Sequence, residues 1–177
     1  MSNAIGPILI DAPTLARRVR VLGRELADAY AGREPVLVAV MKGCVLFLAD
    51  LVRAWPEPMV IEFVMAESYR GTEPGKVCLS VPPDLADRVA GRAVLVVDDI
   101  FDTGATLDAV CRSVERLGAD EIRTVVLLRK RRPQAAPPPR RPDWVGFDVE
   151  DRFVVGYGLD HDGRFRNLPH IAALGTA

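Results

Sequence analysis

The stretch AVLVVDDIFDTGATL, residues 93–107, decides how the rest of the chain is read. Its first half is a continuously apolar, β-branched run, as expected of a strand covered on both faces. Two carboxylates, Asp98 and Asp99, close that run, and Asp102-Thr103-Gly104-Ala105-Thr106 follows as a short loop of small and polar residues. From Thr103 the period changes: Leu107, Val110, Cys111, Val114 and Leu117 form a helical stripe that stops at Gly118. Open α/β sheets bind ligands beyond the carboxyl ends of their strands, which is where this loop falls. Unpaired amides at the start of the helix, the Thr103 and Thr106 hydroxyls, and a glycine that lets the backbone approach closely together make a cradle for phosphate. The loop has neither the Gly-Lys-Ser/Thr of a P-loop nor the three spaced glycines of a dinucleotide fold, so ATP hydrolysis and hydride transfer lose their motif. Asp98 and Asp99 suit either sugar hydroxyls or a hydrated Mg²⁺ ion shared with substrate phosphates. On the loop alone, helix capping by these aspartates and Asp102 is the commoner reading.

Working outward, VLVAV at 36–40, VIEFVMAE at 60–67, KVCLSV at 76–81 and IRTVVLL at 122–128 are further strand candidates. Leu15, Val19, Leu22 and Leu26 share one face of a helix over 12–30, and CVLFLADLVRAW at 44–55 reads as a second helix after the break at MKGC. The alternation predicts a parallel α/β sheet with right-handed crossovers. SYRGTEPG, between the second and third of those strands, reads as a mobile loop. PQAAPPPRRP at 133–142 reads as a surface connection, because its prolines fit neither a central strand nor a helix interior. WVGFDV and RFVVGYGLD are expected as two closing strands.

With 177 residues, 49% hydrophobic and 27% charged, the chain is expected to be one globular domain over 1–177. Its 23 basic and 24 acidic residues leave a net charge of −1, so an anionic ligand has to be held by a local site. No apolar run approaches the roughly 18 residues of a membrane span, and no secretory signal pattern opens the chain. Three scattered cysteines, Cys44, Cys78 and Cys111, argue for a reducing cytoplasm rather than a disulfide framework.

The motif VVDDIFDTGATL resembles the signature for 5-phosphoribosyl 1-diphosphate (PRPP) of the type I phosphoribosyltransferases. VAVMKGCVLFLADL, EFVMAESYRGT, LLRKRRP, DWVGFDVEDRFVVGYGLD and RFRNLPHI are similar, in this order, to successive blocks of the hypoxanthine-guanine phosphoribosyltransferases, covering most of residues 36–171. The resemblance implies an open, mostly parallel twisted sheet flanked by helices, with a small hood formed by the terminal segments. It implies a Mg²⁺-dependent purine salvage enzyme that converts hypoxanthine or guanine plus PRPP into IMP or GMP and pyrophosphate, in the cytoplasm, as a homodimer or homotetramer.

Carried over residue by residue, it implies that Asp98 and Asp99 hold the ribose hydroxyls and, with Asp160, the metal. Asp102, Thr103, Gly104, Ala105 and Thr106 would hold the 5′-phosphate, and Asp102 would also face N7 of the purine as the base. Lys42 and Gly43 match the pyrophosphate loop, often built on a non-proline cis peptide, and Arg166 a pyrophosphate-binding arginine. Lys130 matches the reader of the purine 6-oxo group, Phe153 the ring stacked on the base and Val154 a backbone contact to its edge, with Asp160 beside them. Ser68 and Tyr69 match a lid. By pattern alone Phe153-Val154-Val155 reads as core, Lys130 as part of a solvated basic turn, and Lys42 and Arg166 as surface charges. Asp98 stands where many relatives carry Glu, Ala105 where many carry a long side chain, and the 133–142 segment is unusual. Two other readings remain: a PRPP- or nucleotide-sensing regulator that binds RNA or DNA, supported by RKRR at 129–132 and Arg140–Arg141, and an enzyme for another base such as xanthine.

Overall fold

The computed structural model describes residues 5–68, 77–131 and 138–175. The chain runs β1 (Ile5–Ile10), α1 (Ala12–Ala29), β2 (Val36–Met41), α2 (Val45–Arg53), β3 (Val60–Ser68), β4 (Val77–Ser80), α3 (Leu85–Val89), β5 (Ala93–Phe101), α4 (Ala105–Arg116), β6 (Glu121–Arg131), β7 (Trp144–Glu150), β8 (Val154–Val155) and β9 (Ile171–Leu174). The main sheet has the order β4-β3-β2-β5-β6-β7. All its ladders are parallel except that of β4, which returns antiparallel against β3. The sheet is therefore mixed rather than wholly parallel, because the eight residues between β3 and β4 are too few for the crossover that a parallel neighbour needs.

The order places a topological switch point between β2 and β5: β2 leads outward to β3 on one side, while β5 leads to β6 and β7 on the other. Ligands of such sheets bind in the crevice that opens there, outside the carboxyl ends. The Lys42-Gly43 turn follows β2 and the Asp98–Thr106 stretch closes β5, so the two sequence motifs meet at that crevice.

Two apolar layers cover the sheet. Leu15, Val19, Leu22 and Leu26 of α1 and Phe47, Leu48 and Leu51 of α2 are buried with Leu37, Leu95, Val97 and Leu127 on one face; Leu107, Val110, Cys111 and Val114 of α4 cover Val94, Val96 and Val126 on the other. The helical stripes are those read from the sequence. Each such side chain contributes about 1.5–3 kcal/mol on leaving water, against roughly 1 kcal/mol for a cap such as Asp11, whose carboxylate accepts the Thr14 amide at 2.7 Å. Packing therefore sets where α1 lies. Beyond the Pro-rich connection, Asp143 clips β7 onto β6: its Oδ2 accepts both the amide and the hydroxyl of the fully buried Thr124 at 2.8 Å.

A separate three-stranded sheet, β1-β9-β8, joins the two terminal regions as the expected hood. The expected strand RFVVGYGLD shrinks to Val154–Val155, because Gly156, Tyr157 and Gly158 all take positive φ (99°, 48° and 102°) and turn the chain. The helix expected from Thr103 begins at Ala105, since Gly104 stands at φ 86° as its N-cap. Among the described residues, no helix is long and apolar enough to cross a membrane.

Candidate functional site

An open cleft of about 530 Å³ lies at the switch point, lined by Lys42 and Gly43, by every residue from Asp98 to Leu107, and by Asp160 and Arg166. Three loops and the end of a central strand thus bring together residues that are over a hundred positions apart.

Asp98 is 5% exposed and Asp99 half-buried. The Asp99 amide donates to Asp98 Oδ1 at 2.9 Å. Burial, reinforced by the neighbouring Asp99 charge, pushes the Asp98 carboxyl well above the usual carboxylate range; burial also raises Asp99, with Arg166 opposing. Two carboxylates held this way at the floor of an open cleft are short of positive or hydrogen-bond-donating partners, which is what a ligand's hydroxyls or a hydrated cation supply. Among the described residues no three His, Cys, Asp or Glu side chains converge as a protein-built metal cage. Asp160 instead pairs with Arg166 at 2.6 Å and accepts the Gly163 amide at 2.8 Å.

The loop at 102–106 is tightly shaped. Thr103 Oγ1 accepts the Ala105 amide at 3.3 Å, and a Cβ on Gly104 would come 2.9 Å from the Phe101 ring. The described end of the Pro-rich segment rests on this loop: Pro138 lies 3.4 Å from the same Gly104 Cβ position, and Arg140 is paired with Glu115 of α4. The described exit of the segment, from Pro138, thus packs beside the cradle.

Opposite, Met41–Lys42 is a non-proline cis peptide, and exposed Lys42 reaches into the cleft. A Cβ on Gly43 would stand 1.6 Å from Asp99 Oδ2, and one on Gly158 2.1 Å from the Gly43 carbonyl oxygen. Gly158, Gly43 and Asp99 are therefore stacked without room for a methyl group. Gly43→Ala is expected to displace Asp99 and to weaken PRPP, the ligand the sequence resemblance implies, at least about tenfold, as for a lost hydrogen bond to a charged group. Gly32→Ala, whose Cβ would meet nothing within 4 Å, should leave PRPP affinity unchanged. Calorimetric titration of both variants checks this, and wild-type affinity in Gly43→Ala would contradict it.

On the far side of the loop, Lys130 is 12% exposed, and its Nζ pairs with Asp102 Oδ2 at 3.1 Å and with Asp151 Oδ1 at 3.5 Å. It is not in a solvated basic turn. Arg129, beside it, is bound bidentately by Asp148 at 2.6 and 3.0 Å, so Arg129 and Lys130 are both paired within the protein. Phe153 is 53% exposed rather than core, with its ring edge-on to His161 at 5.1 Å. The Val154 side chain is buried in the hood sheet, leaving only its backbone to meet a ligand. Ser68 ends β3 opposite Val77, and Tyr69 lies outside the described residues. Arg166 also donates to the Gly158 carbonyl at 2.6 Å. Asp151, His161 and Gly158 escaped the sequence reading. Only the Gly-Tyr-Gly pattern at 156–158 carried a local signal, that of a turn.

Residues 8–162 match the phosphoribosyl transferase domain family. The chain is 37% identical to a hypoxanthine-guanine phosphoribosyltransferase of Mycobacterium avium, over 96% of this chain and 86% of that protein. It is 35% identical to one of Bacillus subtilis, over 100% and 97%. A solved structure of a Trypanosoma cruzi hypoxanthine phosphoribosyltransferase in complex with the product IMP superimposes with a TM-score of 0.86 at 31% identity, covering 99% of this chain and 97% of that one. The domain match and the near-full-length similarity to enzymes so named agree: the chain belongs to the phosphoribosyl transferase family, among its hypoxanthine-guanine phosphoribosyltransferases, and is a pentosyltransferase of purine salvage.

Proposed function

We propose that the cleft binds PRPP between the Lys42-Gly43 turn and the Asp98–Thr106 stretch and transfers its phosphoribosyl group to N9 of hypoxanthine or guanine. The observation that carries this is the meeting of a helix-capping loop, one buried and one half-buried carboxylate and Lys42 at one switch point. Amides and hydroxyls of residues 102–106 hold the 5′-phosphate at the start of α4. Asp98 and Asp99 accept from the ribose hydroxyls. Lys42 and Arg166 face the pyrophosphate and stabilise its charge as the C1′–O bond breaks and C1′ becomes oxocarbenium-like. N9 bonds to C1′, and Asp102 accepts the proton shed from N7. Phe153 stacks on the base, with the Val154 backbone and Asp160 at its edge. Ser68 and Tyr69 belong to a segment that excludes water.

Mg²⁺ fits this site as an ion taking most of its ligands from water and substrate phosphates, with Asp98 and Asp99, and Asp160 nearby, as protein contacts. When bound it supplies charge neutralisation of the pyrophosphate. The whole of 1–177 is read as one such domain, cytoplasmic, working as a homodimer or homotetramer. Exposed Val45, Leu46 and Phe63 support assembly, and three free cysteines support a reducing compartment.

Lys130 sets base choice. Its ammonium donates to a 6-oxo group but meets only another donor on a 6-amino group, which leaves a largely buried charge poorly paired. Hypoxanthine and guanine should exceed adenine by orders of magnitude in kcat/KM. Lys130→Met is expected to narrow the gap by losing the oxopurines. The comparison is kcat/KM for the three bases in both proteins; an unchanged ratio would remove Lys130 from base recognition.

A further inference from the structure

We infer that Asp151 is a positioning residue for Lys130, holding its ammonium at the purine edge and keeping it paired while Asp102 takes up the proton of the base. The inference rests on the reading of Asp102 and Lys130 given above.

The sheet register brings the three groups together. Phe101 lies opposite Arg129 across the β5–β6 ladder, so the next residues, Asp102 and Lys130, are neighbours. Lys130 lies opposite Val149 on β7, and Asp151 is two residues further on. Side chains two apart along an extended chain share a face, and Asp151 reaches the ammonium at 3.5 Å from the side opposite the loop that carries Asp102. An exposed ion pair is worth little. This one differs because its cation is 12% exposed and serves two carboxylates from different elements.

The charges explain the need for the second carboxylate. Before reaction the trio Asp102, Lys130 and Asp151 carries −1. As the N9–C1′ bond forms, the N7 proton passes to Asp102 and the trio becomes neutral, with Lys130 still matched by Asp151. Without Asp151 the trio would begin neutral and end as a lone, mostly desolvated cation, which opposes the proton transfer. Lys130 would also be held by Asp102 alone. That pair has to loosen for the purine to insert its 6-oxo group against one member and N7 against the other.

Asp151→Asn is therefore expected to raise KM for hypoxanthine and lower kcat, together by roughly 10- to 100-fold in kcat/KM, between the scale of an exposed ion pair and that of a buried one. KM for PRPP should not move. Asp151→Glu should restore most of the loss, and Asp151→Asn should cost nothing further in a Lys130→Met background, since the two act through one group. Steady-state kinetics of wild type, both Asp151 variants, Lys130→Met and the double variant, each with hypoxanthine and PRPP varied, decide it. An unchanged hypoxanthine KM in Asp151→Asn, an equal loss for PRPP, or an undiminished loss in the Lys130→Met background would overturn the inference while leaving the Lys130 reading in place. Wild-type purine kinetics in Lys130→Met would overturn both.

Discussion

Asp102→Asn is expected to lower kcat for hypoxanthine by about 10²- to 10⁴-fold, the usual worth of a general base, with the fold intact. Asp102 sits just past β5, on the phosphate loop, with its Oδ2 accepting from Lys130 at 3.1 Å. Asn keeps the shape and a carbonyl oxygen that can accept the same bond, and Lys130 retains Asp151 as a counter-charge. What is lost is the capacity to take a proton from N7. The loss should therefore fall on kcat while the PRPP Kd and the melting temperature stay close to wild type. A purified variant with near-normal kcat would remove Asp102 from the proton transfer.

Asp98→Asn is expected to act in opposite directions on binding and stability. The Asp98 carboxyl is buried beside Asp99, and its proton affinity is raised by that burial and by its neighbour's charge. A carboxyl that binds its proton more tightly folded than unfolded costs stability once the pH climbs above the ordinary carboxylate range. The ligand-free protein should thus lose stability as pH rises from that range through the raised folded value. Asn removes the charge, keeps an oxygen for the Asp99 amide and offers an amide hydrogen to the Asp99 carboxylate. The variant should melt higher than wild type at pH 8 and lose this advantage near pH 4. Its affinity for PRPP should fall on the order of 100-fold, as two hydroxyls lose a charged acceptor. Trading stability for a charged binding site is a common pattern in enzymes. Thermal melts at the two pH values, with calorimetric titration of PRPP, test both halves. A lower melting temperature at pH 8, or unchanged PRPP affinity, would contradict the account of the buried pair.

How much of this was legible in sequence follows from how local each feature is. The β5–loop–α4 unit could be read closely because its strand, acidic pair and helical stripe are adjacent in the chain. The β2 strand and the α1 and α2 faces were equally plain. β1 and β9 escaped because Ile5–Ile10 becomes a strand only by pairing with Ile171–Leu174 at the other end of the chain. α3 escaped because five residues hold too little periodicity. The turn at Gly156-Tyr157-Gly158 read as strand because apolar residues flank its two glycines, and its tyrosine takes positive φ. Phe153 looked like core because it precedes two valines, yet the bend at the start of the hood leaves its ring outside. Asp151 carries no local signal of its own in DVEDR, and the β6–β7 register is what brings it to Lys130.

The most direct test of the central claim is an initial-rate assay of PRPP-dependent nucleotide formation with Mg²⁺, offering hypoxanthine, guanine, xanthine, adenine and uracil to the purified chain. The account predicts IMP and GMP formation with equimolar pyrophosphate release, far above the rates with adenine and uracil. Turnover confined to another base, or PRPP binding without nucleotide formation from either oxopurine, would contradict it.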